Sequence, residues 1–203
     1  MSETDPVILF GIPAPLRWDL PPVAWSGDGD RPLTITAGPR TDLFVNPQGN
    51  EATLNAPRLL FTPQGDYTLS ARVTVDFAAT FDAGVLLLYA DERRWAKICF
   101  EFSPQRQPMV VSVVTRGDSD DANAFTVAGN QVFLRIARLG RAFAFHASGD
   151  GAVWQMIRHF TLGDEGGVQA GFLSQSPTGA GCTATFDAIR FTAERLADLR
   201  SGV

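Results

Sequence analysis

Three features of this 203-residue sequence predict an all-β fold, a two-sheet antiparallel β-sandwich of jelly-roll type. Apolar and polar residues alternate over segments of about four to eight residues, as in strands with one buried face. The 19 glycines and 13 prolines are typical of many short strands joined by turns. No helical segment separates the strands, so the chain lacks crossover helices, and two antiparallel sheets must bury their apolar faces against each other.

Twelve segments carry the strand pattern. They are residues 33–37, 42–46, 57–62, 66–77, 83–90, 94–102, 109–116, 131–138, 141–148, 152–160, 168–175 and 182–192. Glycines at the turns between them, such as Gly65, Gly140 and Gly151, supply the positive-φ positions that hairpins need. The pattern therefore predicts about a dozen strands joined mainly by short turns.

The segments outside these strands are predicted to be irregular, apart from one helix. Residues 1–22 form a proline-rich entry segment, and residues 117–124 form a loop because the acidic run at its start contains no apolar anchor. Residues 193–200 form a short C-terminal helix, since Leu196 and Leu199 fall on one helical face. We expect residues 1–203 to form one domain, and the sequence leaves its oligomeric state open.

Charge and composition exclude several classes of function. The net charge of −5 and pI near 5.0 are wrong for sequence-independent nucleic-acid binding, which needs a basic stripe. Apolar runs are too short for a membrane span, and the acidic N-terminal sequence does not resemble a secretory signal, so we expect a cytoplasmic protein. Cys99 and Cys182 lack metal-ligand spacing and are expected to be free thiols. Nucleotide-binding glycine motifs are absent, so no cofactor is predicted.

Strand parity points to a polar and aromatic face. In residues 94–102, Ile98 and Phe100 have core parity, and residues 131–138 and 141–148 divide in the same way. We interpret the remaining side chains of these three strands as one outer face. It carries Trp95, Lys97, Glu101, Phe133, Arg135 and His146.

Two interpretations of this face remain open. An aromatic ring beside hydrogen-bonding groups suits a saccharide, which has an apolar C–H face and a rim of hydroxyls. Trp95 would then stack on the sugar while Lys97, Glu101 and Arg135 bind its hydroxyls. Alternatively, these charges form a solvated ion-pair cluster that contributes little to stability or function. Lys97 is the single lysine among 17 basic residues, which favours a specific need for its ammonium group.

Catalytic motifs give weaker signals. A glycosidase needs two carboxylates around the scissile bond, and Glu101 is the candidate acid or base, with Asp42, Asp82 or Asp187 as its partner. A serine hydrolase is less favoured because no G-x-S-x-G motif accompanies the two histidines, and His159 fits a structural or surface position. The acidic residues of 118–121 offer oxygen ligands for Ca²⁺, but such clusters are usually solvated, so no metal is predicted.

Several blocks of residues 40–192 resemble one family, the concanavalin A-like lectin/glucanase domains labelled "regulation of enolase protein". The matching blocks are Thr41-Asp42-Leu43-Phe44, Ala83-Gly84-Val85-Leu86, Trp95-Ala96-Lys97-Ile98-Cys99-Phe100-Glu101, Ser112-Val113-Val114-Thr115, Ser119-Asp120, Leu134-Arg135, Ser148-Gly149-Asp150-Gly151 with Trp154, and Gly171 with Ser176-Pro177. The W-x-K-x-x-x-E block followed by S-V-V-T is the most specific of these.

The resemblance implies a jelly roll whose concave sheet carries Trp95, Lys97, Glu101 and Arg135. It supplies no established reaction, and the family label adds a third hypothesis, a protein-interaction module that regulates a metabolic enzyme. Asp82 stands one place later than the family's aspartate, and Phe44 stands where the family often has tryptophan. The hypotheses are therefore saccharide binding first, a saccharide-active enzyme second and protein docking third.

Overall fold

The computed structural model describes residues 5–49, 51–163 and 167–203, and these residues form sixteen β-strands and no helix. The strands are β1 Arg17–Leu20, β2 Ala24–Ser26, β3 Leu33–Ala37, β4 Leu43–Val45, β5 Ala52–Leu54, β6 Arg58–Phe61, β7 Tyr67–Val75, β8 Ala83–Asp91, β9 Arg94–Phe102, β10 Pro108–Arg116, β11 Asp118–Thr126, β12 Gln131–Leu139, β13 Ala142–Ser148, β14 Gln155–Thr161, β15 Gln169–Gln175 and β16 Cys182–Thr192. None of the described residues forms a helix able to cross a membrane.

Two seven-stranded antiparallel sheets make up the sandwich. The first sheet has the order β1-β6-β15-β8-β9-β10-β11, and the second has the order β14-β13-β12-β7-β16-β3-β2. Strands β4 and β5 form a separate two-stranded hairpin. The predicted two-sheet antiparallel sandwich is confirmed.

The main core fills the space between the two sheets, where alternate side chains of every long strand point inward. Strand β7 illustrates the pattern, because Leu69, Ala71 and Val73 are fully buried and the residues between them are not. Gly84 lies at a close contact between the sheets, since a Cβ there would lie 2.6 Å from a methyl carbon of Val73. A side chain at this position would push the sheets apart.

A second apolar cluster lies on the opposite, outer face of the first sheet. The β4–β5 hairpin covers that face and packs Leu43 and Val45 onto residues of β8, β9 and β10. The amide of Val45 donates to the Ser119 hydroxyl at 2.9 Å, which ties the hairpin to β11. Where the hairpin covers it, the first sheet is therefore buried on both faces.

All twelve predicted strands are present, with ends displaced by three residues or fewer. Four further strands, β1, β2, β5 and β11, were not predicted. Strand β1 lies in the entry segment that the sequence predicts to be irregular, and it pairs with β6. Prolines lie on both sides of β1, and a strand of four residues is too short to show a clear alternation of apolar and polar residues.

The predicted loop 117–124 is wrong, because residues 118–126 form β11, which pairs along the length of β10. This edge strand is mostly exposed, so its side chains need no apolar alternation. Its one buried residue, Ser119, is held by hydrogen bonds to Thr115 and to the hairpin amide. Strand β11 is therefore defined by its backbone pairing with β10, which the pattern of side chains does not predict.

The predicted C-terminal helix over 193–200 is also wrong. Eight residues with few apolar anchors are too short to be stable as a helix without strong packing. Instead, the Asp198 carboxylate accepts from the amides of Arg200 and Ser201 at 2.8 and 3.4 Å, and the Asp198 backbone closes a turn with Val203. Side-chain capping by an aspartate competes with helix formation in this way.

Candidate functional site

A pocket of about 350 Å³ opens on the outer face of the first sheet, beside the β4–β5 hairpin. We call it the Glu101 pocket. It is lined by Asp42, Phe44, Phe81, Lys97, Glu101, Pro104, Gln105, Met109, Val111, Val113, Asp121, Asn123 and Gln175. Strands β9, β10 and β11 supply its floor, because Lys97 and Glu101 share outward parity with their cross-strand neighbours on β10.

Lys97 is the buried cation of this pocket. Its side chain is 2% exposed, and its ammonium donates to the Asp42 carboxylate at 3.2 Å and to the Gln175 amide oxygen at 2.8 Å. Burial lowers the pKa of Lys97, but the charges of Asp42 and Glu101 outweigh burial and hold the pKa above its usual value. Lys97 is therefore protonated and fixed in position.

Glu101 lies four residues further along β9, on the same face and half-buried. Burial raises its pKa to about 7, with smaller contributions from the negative charges of Asp42 and Asp121, while Lys97 acts in the opposite direction. A carboxyl group with this pKa exists in both protonation states near neutral pH. It can therefore donate or accept a hydrogen bond, or exchange a proton with a bound molecule.

The rim of the pocket is aromatic. Phe81 is 37% exposed and adopts a φ of 70°, a left-handed conformation that is unfavourable for a bulky residue. Its amide donates to the Phe102 carbonyl at 2.7 Å, and its own carbonyl accepts from Gln175 at 3.3 Å. These bonds hold the strained backbone and leave the ring at the mouth of the pocket, which Phe44 of the hairpin also lines.

Asp82 does not line the pocket. It is fully buried, and its carboxylate accepts from the amides of Ala78 and Ala79 at 3.0 and 2.7 Å and from the Ser176 hydroxyl at 2.6 Å. These bonds fix the turn that carries Phe81. Asp82 thus positions Phe81 at the rim of the Glu101 pocket.

Trp95 shares the outer face but is buried beneath the hairpin. Its side chain is 0% exposed, lies in the apolar cluster under β4, and has the Lys97 ammonium 5.7 Å from its ring centroid. A ring without exposed surface cannot stack on a ligand. The expected stacking role of Trp95 is therefore corrected, and the exposed ring in the pocket is that of Phe81.

Arg135 and His146 do not share a face with the other predicted residues. They are direct neighbours on β12 and β13, which belong to the second sheet, so they lie on the opposite side of the sandwich from Lys97 and Glu101. Parity correctly assigns them outward positions, but parity cannot say which sheet a strand joins. The expectation that three strands share one outer face is wrong for this reason.

The remaining acidic candidates are dispersed. Asp187 pairs with Arg72 through two hydrogen bonds of 2.7 Å on the second sheet. On β11, Asp120 pairs with Arg158 at 2.8 Å, whereas Asp121 lines the Glu101 pocket. Within residues 5–49, 51–163 and 167–203, no group of three or more potential ligands could hold a metal ion.

Sequence comparison places this chain in a family. The model of the family described as "Protein of unknown function (DUF1349)" matches residues 18–194, most of the chain. The chain belongs to the DUF1349 family. The match includes the whole Glu101 pocket, from Asp42 to Gln175. No curated protein matches the chain.

Solved structures share the sandwich of this DUF1349 protein. A functionally unknown protein from Saccharomyces cerevisiae is similar with a TM-score of 0.81 and 20% identity, over 88% of this chain and 96% of that one. A xylan beta-1,4-xylosidase from Bacillus halodurans is similar with a TM-score of 0.64 and 13% identity, over 79% of this chain. This chain spans about a third, 32%, of that xylosidase. An alginate lyase from Klebsiella pneumoniae has a TM-score of 0.52 and 14% identity, over 79% and 81% of the two chains.

Proposed function

We propose that this DUF1349 protein binds a saccharide in the Glu101 pocket. The observation that carries the proposal is the exposed ring of Phe81, held in a strained backbone conformation at the mouth of a pocket lined by Lys97, Glu101 and Gln175. An aromatic platform beside a carboxyl, an ammonium and an amide suits the two sides of a sugar. The volume of about 350 Å³ is in the range of small-ligand pockets.

Two further facts support this proposal. The sandwich occurs in a xylosidase and in an alginate lyase, which are proteins that act on polysaccharides, although the low identity limits that likeness to the fold. Besides Lys97, the charged groups in the pocket are Asp42, Glu101 and Asp121, so the pocket has no excess of positive charge. Neutral sugars are therefore favoured there over sugar acids.

Titration calorimetry tests the proposal with xylo-oligosaccharides and other neutral oligosaccharides. We expect Phe81→Ala and Glu101→Gln each to weaken binding at least tenfold. Glu92→Gln, a change of the same kind at an exposed carboxylate outside the pocket, should bind like the parent protein. Phe10→Ala is the matched control for losing an exposed ring, since Phe10 is 71% exposed and lies outside the pocket.

Equal binding by the Phe81→Ala and Phe10→Ala variants would contradict the proposed platform. If no saccharide binds the parent protein, the proposal fails as a whole. The interaction module that docks on a metabolic enzyme, with a cytoplasmic location, then becomes the function to test by pull-down.

A glycosidase-like enzyme is the second candidate, and the raised pKa of Glu101 favours it. A general acid works best when its pKa is near the working pH, which is the position of a carboxyl group at about 7. Asp42 is engaged by Lys97, so the exposed Asp121 is the candidate second carboxylate of the pocket. The pair would protonate the leaving oxygen and activate water.

Release of reducing sugar from oligosaccharides tests the enzyme. We expect turnover to fall at least a hundredfold in Glu101→Gln and in Asp121→Asn without any fall in melting temperature, with Glu92→Gln as the control. Binding without turnover in the parent protein would contradict the enzyme and leave the saccharide-binding proposal intact.

A further inference from the structure

A second cluster of polar side chains lies on the outer face of the second sheet. Arg135 of β12 and His146 of β13 are direct cross-strand neighbours, and Trp154 precedes β14. The guanidinium carbon of Arg135 lies 4.1 Å from the centroid of the Trp154 ring, a stacking distance that fixes the plane of the guanidinium. We call these three residues the Arg135 site.

Arg135 is a buried cation without an anion. It is 7% exposed, yet no carboxylate among the described residues lies within ion-pair distance, and its Nε has no hydrogen-bond partner there. Burial alone lowers its pKa to about 10. Buried charges in proteins are usually paired, so an arginine in this state is an unfilled site for a negatively charged group.

The C-terminal turn occupies the donors of this site. Arg135 Nη2 donates to the Gly202 carbonyl at 2.7 Å, and His146 Nε2 lies 2.9 Å from the Leu199 carbonyl. Because a carbonyl can only accept, Nε2 carries the hydrogen, and the buried Nδ1 is left without a partner among the described residues. Burial lowers the pKa of His146 to about 4, so the ring is neutral at neutral pH.

The turn is held by few contacts. Among residues 193–203, all of which the structure describes, Gly202 is the one buried residue. A Cβ on Gly202 would lie 2.5 Å from Arg135 Nη2 and 2.7 Å from Trp154 Cβ, and its φ is +78°. The turn thus fits over the site through a glycine that has no space for a side chain, and local opening of such a segment is inexpensive.

We propose that Arg135, His146 and Trp154 form a binding site for a small carboxylate, and that residues 198–203 cover it. The planar guanidinium fork matches a carboxylate group, and the neutral His146 adds one N–H donor. One formal positive charge balances one negative charge, which favours a carboxylate over a phosphate dianion. The two carbonyl oxygens of the turn occupy acceptor positions that the carboxylate takes when the turn opens.

Opening the turn in the full-length chain tests the proposal. Gly202→Val removes the close fit of the turn while every residue of the site stays in place. We expect the variant to bind acetate at least tenfold more tightly than the parent protein does in titration calorimetry. D-Glucuronate and acetate as parallel probes distinguish a sugar acid from a simple carboxylate, and D-glucose is the neutral control.

Two further variants keep the test decisive. Asp198→Ala removes the side-chain bonds that close the turn and changes an exposed residue, so it should raise acetate affinity by a smaller factor without affecting folding. Adding Arg135→Gln to Gly202→Val should abolish binding. In the opened variant, the pKa of His146 measured by NMR should move from about 4 towards 6.5 as water reaches the ring, and bound acetate should raise it further.

The proposal is overturned if Gly202→Val and Asp198→Ala both fold normally and neither binds a carboxylate more tightly than the parent protein. It is equally overturned if the Arg135→Gln double variant binds as well as Gly202→Val. Binding of inorganic phosphate alone would reject the assignment to carboxylates.

Discussion

Lys97 and Arg135 are buried cations on the outer faces of opposite sheets, and they differ in the groups that bind them. Lys97 has a carboxylate at 3.2 Å and an amide oxygen at 2.8 Å, under the β4–β5 hairpin. Arg135 has a backbone carbonyl at 2.7 Å, under an irregular turn, and no carboxylate among the described residues. One cation is part of a finished structural pair, whereas the other keeps unused capacity for an anion.

The segments that cover the two cations, the β4–β5 hairpin and the C-terminal turn, explain why only Lys97 has a carboxylate partner. The hairpin begins next to Asp42, and its apolar residues pack on the sheet. The same segment therefore supplies both the carboxylate and the apolar cover. The C-terminal turn brings carbonyl groups and little apolar surface. Removing the anion therefore affects stability on the first face, while removing the cover affects binding on the second face.

Breaking the ion pair on the first face should have the largest effect. Asp42→Asn keeps the bond from the Leu43 amide to the side-chain oxygen but leaves the Lys97 ammonium buried without a negative partner. We expect a loss of about 3 kcal/mol in the free energy of unfolding, since breaking one partner of a buried pair costs about 3–5 kcal/mol and Asp42 is partly exposed. Urea denaturation measures it.

The double variant Asp42→Asn with Lys97→Met is the control. It removes both charges, so its loss should be smaller than that of Asp42→Asn alone. A loss below about 1 kcal/mol in the single variant would show that the Lys97 ammonium is solvated in the pocket.

Strand parity encodes which face of a sheet a side chain occupies, but not which sheet its strand joins. Parity correctly separated core from outward residues on β9, β12 and β13, because successive side chains of a strand alternate between faces. It could not assign β9 to one sheet and β12 to the other, because sheet order is set by long-range pairing. Arg135 was therefore predicted beside Glu101, from which the sandwich separates it.

The pocket was predicted in part. Residue type and spacing select Lys97 and Glu101, whereas Asp42, predicted as a possible second carboxylate for Glu101, forms an ion pair with Lys97 instead. Gln175 and Phe81 were missed, since a glutamine at the end of a strand and a phenylalanine before an aspartate carry no local signal. The positive φ of Phe81 arises from tertiary bonds to Phe102 and Gln175, and only the folded structure displays it.

Replacing Trp95 should have the next largest effect, and it should act on stability alone. Trp95→Phe removes an indole N–H that has no partner among the described residues, but it leaves a gap beneath the hairpin. We expect a loss of about 1–2 kcal/mol in urea denaturation, in the usual range for a core substitution. Saccharide affinity should change less than twofold, and a tenfold loss at unchanged stability would restore the stacking role.

Removing the cation on the second face should cost less than either change on the first face. Arg135→Met takes away one hydrogen bond and the stacking on Trp154, but it also removes a buried charge that has no anion. We expect a loss of about 1 kcal/mol or less by urea denaturation. A loss as large as that of Asp42→Asn would indicate that an anion already compensates Arg135.

The smallest net effect is expected from pH in the parent protein, because the two faces have opposed pH dependences. Glu101 has a pKa near 7 in the folded protein and 4.5 as its reference value, so the folded state binds more protons between these values and stability falls as pH rises. His146 has a pKa near 4 when folded and 6.5 as its reference value, so the unfolded state binds more protons and stability rises with pH.

In the parent protein, these opposed trends should largely cancel between about pH 4.5 and 6.5. Glu101→Gln should leave a stability that rises with pH over that interval, and His146→Gln should leave one that falls. Urea denaturation at pH 4.5, 5.5 and 6.5 measures both slopes, with Glu92→Gln as the control. Parallel profiles for the two variants would show that the faces do not titrate in opposite senses, and the comparison between them would lose its electrostatic basis.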